Sequence, residues 1–256
     1  MVKVECEGAL TRLTLNRPEV RNAFNEALIE ALCDAFANLS LETRVVIIRG
    51  EGRAFCSGGD LDWMRRAAQA PEAKNREDAL RLAGLFQAIA TCRVPVIAQV
   101  HGAAFGGACG LVAASDIAIA SSETLFAFSE VRLGLVPATI SPFVLAKIGS
   151  GSARALFTTG EAFSASRALQ IGLVQEVVST EDLESRVLEK VNSILKSGPL
   201  AVAESKLLAQ KPPLSASDSA DLLARVRAGE EAQEGISAFL EKRTPGFSAE
   251  TKRGEG

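Results

Sequence analysis

The sequence predicts an α/β protein whose sheet is built largely from parallel strands. Three observations carry that expectation. The apolar runs at 45–48, 94–100 and 117–120 are continuous rather than alternating, as in strands buried on both faces. Helix-like stretches lie between them, the alternation that produces right-handed crossovers over a parallel sheet. Two of the runs lead into glycine clusters, at 50–59 and 102–110, where a strand hands over to a loop or helix.

Taken in order, residues 11–15 alternate like a strand and run into Asn16, Arg17 and Pro18, which mark a turn. From 25 to 39, Leu28, Leu32, Ala35, Phe36 and Leu39 recur at helical spacing. The strand at 45–48 and the first glycine loop follow, then a helix over about 72–90 and the strand at 94–100. The second glycine cluster opens a helix of small residues before the strand at 117–120. Beyond Leu125 the pattern gives a strand, a loop marked by Pro137 and Pro142, and then helices. Ser164 suits a helix N-cap and Gly172 the position just past a helix end. From 196 onward no strand is expected, and 218–242 reads as a long helix interrupted by Gly229 and Gly235. Such a terminal helical piece cannot bury both faces alone, which suggests packing at a subunit interface. The polar, glycine-containing stretch 248–256 is expected to be disordered. No internal repeat is present.

Composition narrows the function. At 256 residues the chain has the length of one large domain or two small ones. Apolar residues make up 47% and charged residues 23%, ordinary for a well-packed soluble protein. A net charge of −3 argues against nucleic acid or an anionic membrane as partner. No apolar run approaches the roughly 20 residues that span a bilayer. The first residues are too charged for a secretory leader. Five scattered cysteines (Cys6, Cys33, Cys56, Cys92 and Cys109) form no CxxC pair and read as reduced thiols of a cytoplasmic protein. With one histidine, His101, and no tyrosine, a histidine-rich metal site, a two-histidine mechanism and a phenolic acid are excluded. The chemistry must rest on carboxylates, backbone dipoles, serine, cysteine or lysine.

Two glycine loops and one carboxylate stand out. Backbone N–H groups at Gly58–Gly59 and Gly106–Gly107 carry no side-chain bulk, so a ligand oxygen could approach them closely. The second loop opens a helix, and two such loops side by side would supply two amides to one developing oxyanion. Each glycine pair is equally what a tight turn requires, and neither fits a dinucleotide or P-loop pattern. Glu130 sits between apolar residues, which suits a proton-transfer group of raised pKa. A surface glutamate paired with Arg132 would look the same.

Specific motifs go further. Asn16-Arg-Pro18, Arg21-Asn-Ala-Phe24, Arg53-Ala-Phe-Cys-Ser-Gly-Gly-Asp-Leu61, His101-Gly-Ala-Ala-Phe-Gly-Gly107, Ser115-Asp-Ile-Ala-Ile119, Ala168-Leu-Gln-Ile-Gly-Leu-Val174 and Phe239-Leu-Glu-Lys-Arg-Thr-Pro-Gly-Phe247 follow one another in that order. Together they resemble the crotonase superfamily, the enoyl-CoA hydratase/isomerase family, over nearly the whole chain. The resemblance implies a crotonase-like spiral of ββα turns over 1–195. It also implies a C-terminal helical region over 196–256 that builds homotrimers, often paired into homohexamers. The implied substrate is an acyl-CoA thioester, with no cofactor beyond the coenzyme A it carries. The Gly59 and Gly107 amides would form the oxyanion hole and Glu130 would move the proton. Ser57 and Leu61 would line the CoA channel, with Arg21, Ala23 and Asp60 among the substrate-binding residues. Phe239 and Lys242 would reach the CoA of a neighbouring subunit.

One departure matters. The two-glutamate hydratases of this family carry a second glutamate at the position of Gly110. Glu130 alone remains here, so the resemblance leaves both a hydratase and a Δ3,Δ2-enoyl-CoA isomerase open. Ala138 replaces the aspartate of the dehalogenase and dienoyl-isomerase members, which argues against those chemistries. The stretch 128–142 looks most like the methylglutaconyl-CoA and carboxygeranoyl-CoA hydratase branch, enzymes of leucine and acyclic-terpene breakdown. An acidic acyl tail would need a cation, for which Arg65 and Arg66 are candidates.

A non-catalytic RNA-binding role would rest on Arg65, Arg66, Lys74, Arg76 and Arg81. Asp62, Glu72, Glu77 and Asp78 interleave with them, so a solvated helix face is the expectation. His101 is expected to be structural, Asp60 and Asp116 to cap or anchor turns, and Trp63 and Met64 to be pocket or lid hydrophobes. Cys56 and Cys109 flank the glycine loops without a base to activate them.

Overall fold

The computed structural model describes residues 1–251. A six-stranded sheet has the order β1-β2-β3-β4-β6-β9. It comprises β1 (Val2–Glu7), β2 (Leu10–Leu15), β3 (Val45–Gly50), β4 (Val96–Val100), β6 (Ile117–Ser121) and β9 (Glu176–Val178). Only β1 runs antiparallel to its neighbour; the other pairs are parallel. A second sheet holds β5 (Ala103–Phe105), β7 (Leu125–Ala127) and β8 (Ala162–Ser164), with β7 in the middle. The helices are α1 (Glu26–Ala37), α2 (Leu61–Gln69), α3 (Glu72–Ala90), α4 (Gly107–Ala114), α5 (Ser141–Thr159), α6 (Ala165–Gln170), α7 (Leu183–Leu195), α8 (Pro199–Gln210), α9 (Ala216–Ala228) and α10 (Glu230–Leu240).

The continuous apolar runs form strands because both of their faces are covered. Leu13, Val46, Ile48, Val96 and Ala98 face Leu28, Leu32, Leu85, Phe86 and Ile89 of α1 and α3 within one core. On the opposite face, Leu10, Val45, Ile47, Ile97 and Ile119 meet Leu183, Val187, Val191 and Leu195, spaced four apart along α7. Asn25 caps α1 by accepting the Leu28 amide at 2.9 Å, and Ser164 caps α6 by accepting the Arg167 amide at 3.2 Å.

Four differences from the sequence expectation have physical causes. β1 is an edge strand on which Lys3, Glu5 and Glu7 alternate with Val2, Val4 and Cys6, so its charges mask a period of two. A two-residue turn, with Gly8 at φ +60°, joins it to β2. α2, absent from the sequence reading, is amphipathic but only nine residues long and follows the glycine loop directly; none of its residues is fully buried, and Trp63 packs from it against the core. The expected helix over 218–242 is two helices, because Gly229 turns extended (φ −74°, ψ 155°) and ends α9 as it starts α10. Gly235 leaves α10 intact; a Cβ there would stand 3.5 Å from the Phe247 ring. Finally, the tail is pinned as far as Thr251. Ala249 N–H donates to Leu195 O at 3.0 Å and Thr251 N–H to Asn192 Oδ1 at 3.0 Å. The remainder of the expected disordered stretch, 252–256, lies outside the described residues.

The described chain beyond 196 is helical. A partly buried ion pair fastens it to the sheet: Lys206 of α8 reaches Asp116 Oδ2 at 2.7 Å and Val94 O at 3.1 Å. Asp116 also accepts the Val96 amide at 2.7 Å, which makes it a turn anchor as expected. Leu200, Leu223, Ile236, Phe239 and Leu240 of these helices are exposed. Among the described residues, no helix is long and apolar enough to cross a membrane.

Candidate active site

The turn after β2 is locked before the first glycine loop begins. Arg21 and Asn22 both take left-handed backbone angles (φ 53° and 56°), a conformation that costs energy unless the surroundings impose it. Buried Asn22 imposes it. Its side-chain amide donates to Glu51 O and Ala54 O at 2.9 and 2.8 Å, and its Oδ1 accepts the Arg17 amide at 2.8 Å. Arg17 then reaches Ala23 O at 2.6 Å and Asp60 Oδ2 at 2.9 Å.

Phe24 next to this turn forms a one-residue parallel bridge with Gly59. Phe24 N–H donates to Gly58 O at 2.7 Å, and Asp60 N–H donates to Phe24 O at 2.8 Å. That pattern uses the groups on either side of Gly59 and turns Gly59's own N–H to the far side, where it meets no protein acceptor. Asp60 caps α2 by accepting the Asp62 and Trp63 amides at 3.0 and 3.2 Å. Burial alone would raise its pKa, but the Trp63 amide, the Arg17 guanidinium and the Asp62 amide together hold it below the usual carboxylate range. Met64 closes over the loop, its sulfur 3.1 Å from the place of a Cβ on Gly59.

The second loop abuts the first. Cys56 N–H donates to Ala103 O at 3.0 Å, and Phe105 N–H to Cys56 O at 3.2 Å. Gly106 adopts φ +54° and donates to Ala127 O at 2.8 Å, which leaves Gly107 as the first residue of α4. A helix cannot satisfy its own first amides, and that of Gly107 finds no other protein acceptor. A Cβ on Gly107 would lie 3.3 Å from the Phe24 ring, so Phe24 packs on one glycine and pairs with the other.

Glu130 lies in a 3-10 turn, Ser129–Leu133, following β7. Its Oε1 stands 3.5 Å from the position a Cβ would take on Gly106, beside the free Gly107 amide. Its Oε2 is buried with no hydrogen-bond partner. Burial therefore pushes its pKa up, opposed only by its own backbone amide. Arg132 makes no ion pair with it; the Arg132 side chain packs at Gly160 instead. Two unpaired amides and one desolvated carboxyl can hold an oxyanion and move a proton.

The structure gathers Arg21, Ala23, Ser57, Gly59, Asp60, Leu61, Gly107 and Glu130 around these two loops. Ser57 N–H donates to Arg21 O at 3.0 Å, and Leu61 is 76% exposed at the start of α2. Phe239 and Lys242 are not brought there by their own chain. Phe239 lies in the last turn of α10 and Lys242 just beyond it, and α10 packs on α8 and α9. Arg65 pairs with Asp62 and Arg66 with Glu26, both at 3.0 Å. Lys74 and Arg81 pair with Glu77 and Asp78, so four of the five cations of the basic series are answered by acids. His101 donates from Nε2 to Gly52 O at 2.8 Å. Burial pushes the Cys56 thiol up to about 12 and the Cys109 thiol higher still, which keeps both protonated.

Sequence reasoning missed two residues at the position lacking the second carboxylate. Gly110 faces Phe86 of α3 and Ile140, whose atoms already fill the space a side chain would need. Only an apolar periodicity in α3 hinted at Phe86, and nothing local hinted at its meeting Gly110.

Comparison with known proteins gives the same answer as the motifs. The profile of the enoyl-CoA hydratase/isomerase family matches residues 5–250. The chain belongs to this family, within the crotonase superfamily. It is 35% identical over 253 residues to the crotonyl-CoA hydratase of Syntrophomonas wolfei, covering 95% of this chain and 96% of that protein. It is 32% identical over 255 residues to the trans-2-decenoyl-[acyl-carrier-protein] isomerase of Streptococcus mutans, covering 94% and 95%. Among solved structures, Pseudomonas aeruginosa AtuE superposes with a TM-score of 0.92 at 33% identity, covering 97% and 99% of the two chains. The crotonase fold of this family member thus includes the helical C-terminal region, and its relatives include both hydratases and isomerases.

Proposed function

We propose that this enoyl-CoA hydratase/isomerase family member adds water to a 2-enoyl-CoA thioester through an enolate, with Glu130 as its one proton-transfer group. The observation that carries this reading is Glu130 itself: an unpartnered, desolvated carboxyl beside the free Gly107 amide. Water oxygen bonds to C3 while Glu130 takes a water proton. The electron pair of the double bond shifts toward the thioester, and the negative charge gathers on its oxygen. The Gly59 and Gly107 amides stabilise that charge, each donor contributing about 3 kcal/mol to the transition state. Glu130 then returns the proton to C2. No cofactor is required beyond the coenzyme A of the substrate, which Arg21, Ala23, Ser57, Asp60 and Leu61 border.

The closed site at Gly110 favours a second reading, Δ3,Δ2 isomerisation, which needs one carboxylate and no activated water. A trans-2-enoyl-CoA losing its conjugated-thioester absorbance supports hydration. A 3-enoyl-CoA gaining that absorbance supports isomerisation. Neither change, at any acyl length, would remove the enolate reading.

The finer assignments rest on the same proposal. A branched, methylglutaconyl-like acyl group is the substrate suggested by residues 128–142. The exposed apolar residues of α8–α10 suit assembly into a homotrimer or homohexamer, in which Phe239 and Lys242 would meet a neighbouring subunit's CoA. Five free thiols suit the cytoplasm.

A further inference from the structure

Met64 is the only methionine of the chain beyond Met1, and its place is specific. It stands one turn into α2 and donates its N–H to Asp60 O at 2.9 Å, so the cap that ends the first glycine loop also sets its position. The side chain lies back along that loop. Its Sδ, Cγ and Cε stand 3.1, 3.2 and 3.8 Å from the position a Cβ would take on Gly59. The Gly59 nitrogen is bonded to the Cα that would carry this Cβ, so the thioether lies beside an N–H that no protein acceptor meets. A thioether sulfur is a weak acceptor and leaves that N–H free for a ligand. Met64 is half-buried, open to a small solute. Cys56 and Cys109 near the two loops are buried and stay protonated, so they do not compete for an oxidant there.

Resting on the enolate reading above, we propose that Met64 is a modification site at which hydrogen peroxide switches the enzyme off. The sulfur lone pair attacks one peroxide oxygen and the O–O bond breaks. The proton on the transferred oxygen passes to the leaving oxygen, which departs as water. Sulfur gives up two electrons to become the sulfoxide, and the peroxide takes them. The new S=O oxygen is a polar acceptor on a flexible side chain that already lies against Gly59. It takes the Gly59 N–H and stands where the thioester oxygen would bind, leaving the enolate only the Gly107 amide. Reduction back to the thioether frees the Gly59 amide again. No movement of the fold is needed, because the acceptor is made beside the donor.

The test treats the parent, Met64→Leu and Met64→Gln with hydrogen peroxide. Dithiothreitol then restores the reachable thiols Cys6, Cys33 and Cys92 from disulfide or sulfenic acid but leaves a sulfoxide in place. Peptide mass spectrometry counts the oxygen on Met64, and turnover of 2-enoyl-CoA and 3-enoyl-CoA is followed before and after. With Met64 fully oxidised, parental kcat/KM is expected to fall about a hundredfold, the order that losing one oxyanion donor costs. Methionine sulfoxide reductases A and B together should restore it. Met64→Leu should keep its own untreated rate throughout. Met64→Gln carries an amide oxygen in place of the sulfoxide, so it should be slow before treatment and no slower after. An oxidised Met64 with the untreated rate would overturn the proposal and leave the enolate reading standing. So would equal loss in Met64→Leu, a Met64→Gln chain as fast as Met64→Leu, or a Met64 still unoxidised when added free methionine is fully converted. An untreated parent that turns over neither substrate would overturn the enolate reading, and the switch with it.

Discussion

The Arg17 guanidinium meets Asp60 Oδ2 at 2.9 Å, and each side chain is only 13% exposed. This contact ties the turn after β2 to the cap of α2, with Gly59 between the two. Breaking such a pair leaves the partner charge poorly solvated, at a cost of about 3 kcal/mol. Arg17→Met should therefore lower the denaturant midpoint markedly. If the pair also positions the Gly59 amide, turnover should fall more than substrate affinity does. A variant with parental stability and parental kcat would show that the Phe24–Gly59 bridge needs no such brace.

Glu130→Gln keeps the shape of the side chain and removes the proton acceptor. A positioned acid–base group contributes about a thousandfold in rate, so turnover should drop by that order while a saturated acyl-CoA still binds. Steady-state kinetics with calorimetric binding separates the two quantities. A variant retaining near-parental turnover would require another base; the other carboxyl at these loops, Asp60, is already engaged by Arg17 and the first amides of α2.

The same residue predicts a pH dependence with a definite sign. Glu130 is raised in the folded protein above its unfolded value, so the native state holds its proton more tightly. Its contribution to stability is present at acid pH, below the unfolded value, and is lost as pH rises through the folded one. Glu130→Gln should therefore gain stability over the parent at neutral pH and lose that advantage in acid, as urea unfolding at several pH values would report. The acid limb of the hydration rate should likewise lie above the range of an ordinary glutamate.

Much of this was legible in the sequence because it is local. Continuous apolar runs gave the central strands, and the two glycine loops together with Glu130 gave the candidate site. Elements without a local pattern were hidden. β5, β8 and β9 have three residues each, too few for a period, and charge masks the alternation in β1. The bare position at Gly110 could be read directly, but its filling could not. Phe86 comes from α3 and Ile140 from the head of α5, and only tertiary packing brings them together at α4.

Lys206 carries the last prediction. Its side chain is 6% exposed and bonds Asp116 and Val94 O, joining α8 to the ends of β4 and β6. Lys206→Met fills the same volume but leaves Asp116, 22% exposed, without its ion-pair partner, which should cost less than the about 3 to 5 kcal/mol of a fully buried pair. Asp116 still accepts the Val96 amide, so Asp116→Asn in the same chain should recover part of that loss by removing the uncompensated charge. A denaturant double-mutant cycle measures the recovery. If α8 is held chiefly by this pair, protease cleavage after residue 196 should accelerate in Lys206→Met and slow again in the double variant. Additive effects, with no change in cleavage, would mean that apolar contacts fasten the C-terminal helices and that the ion pair is incidental to them.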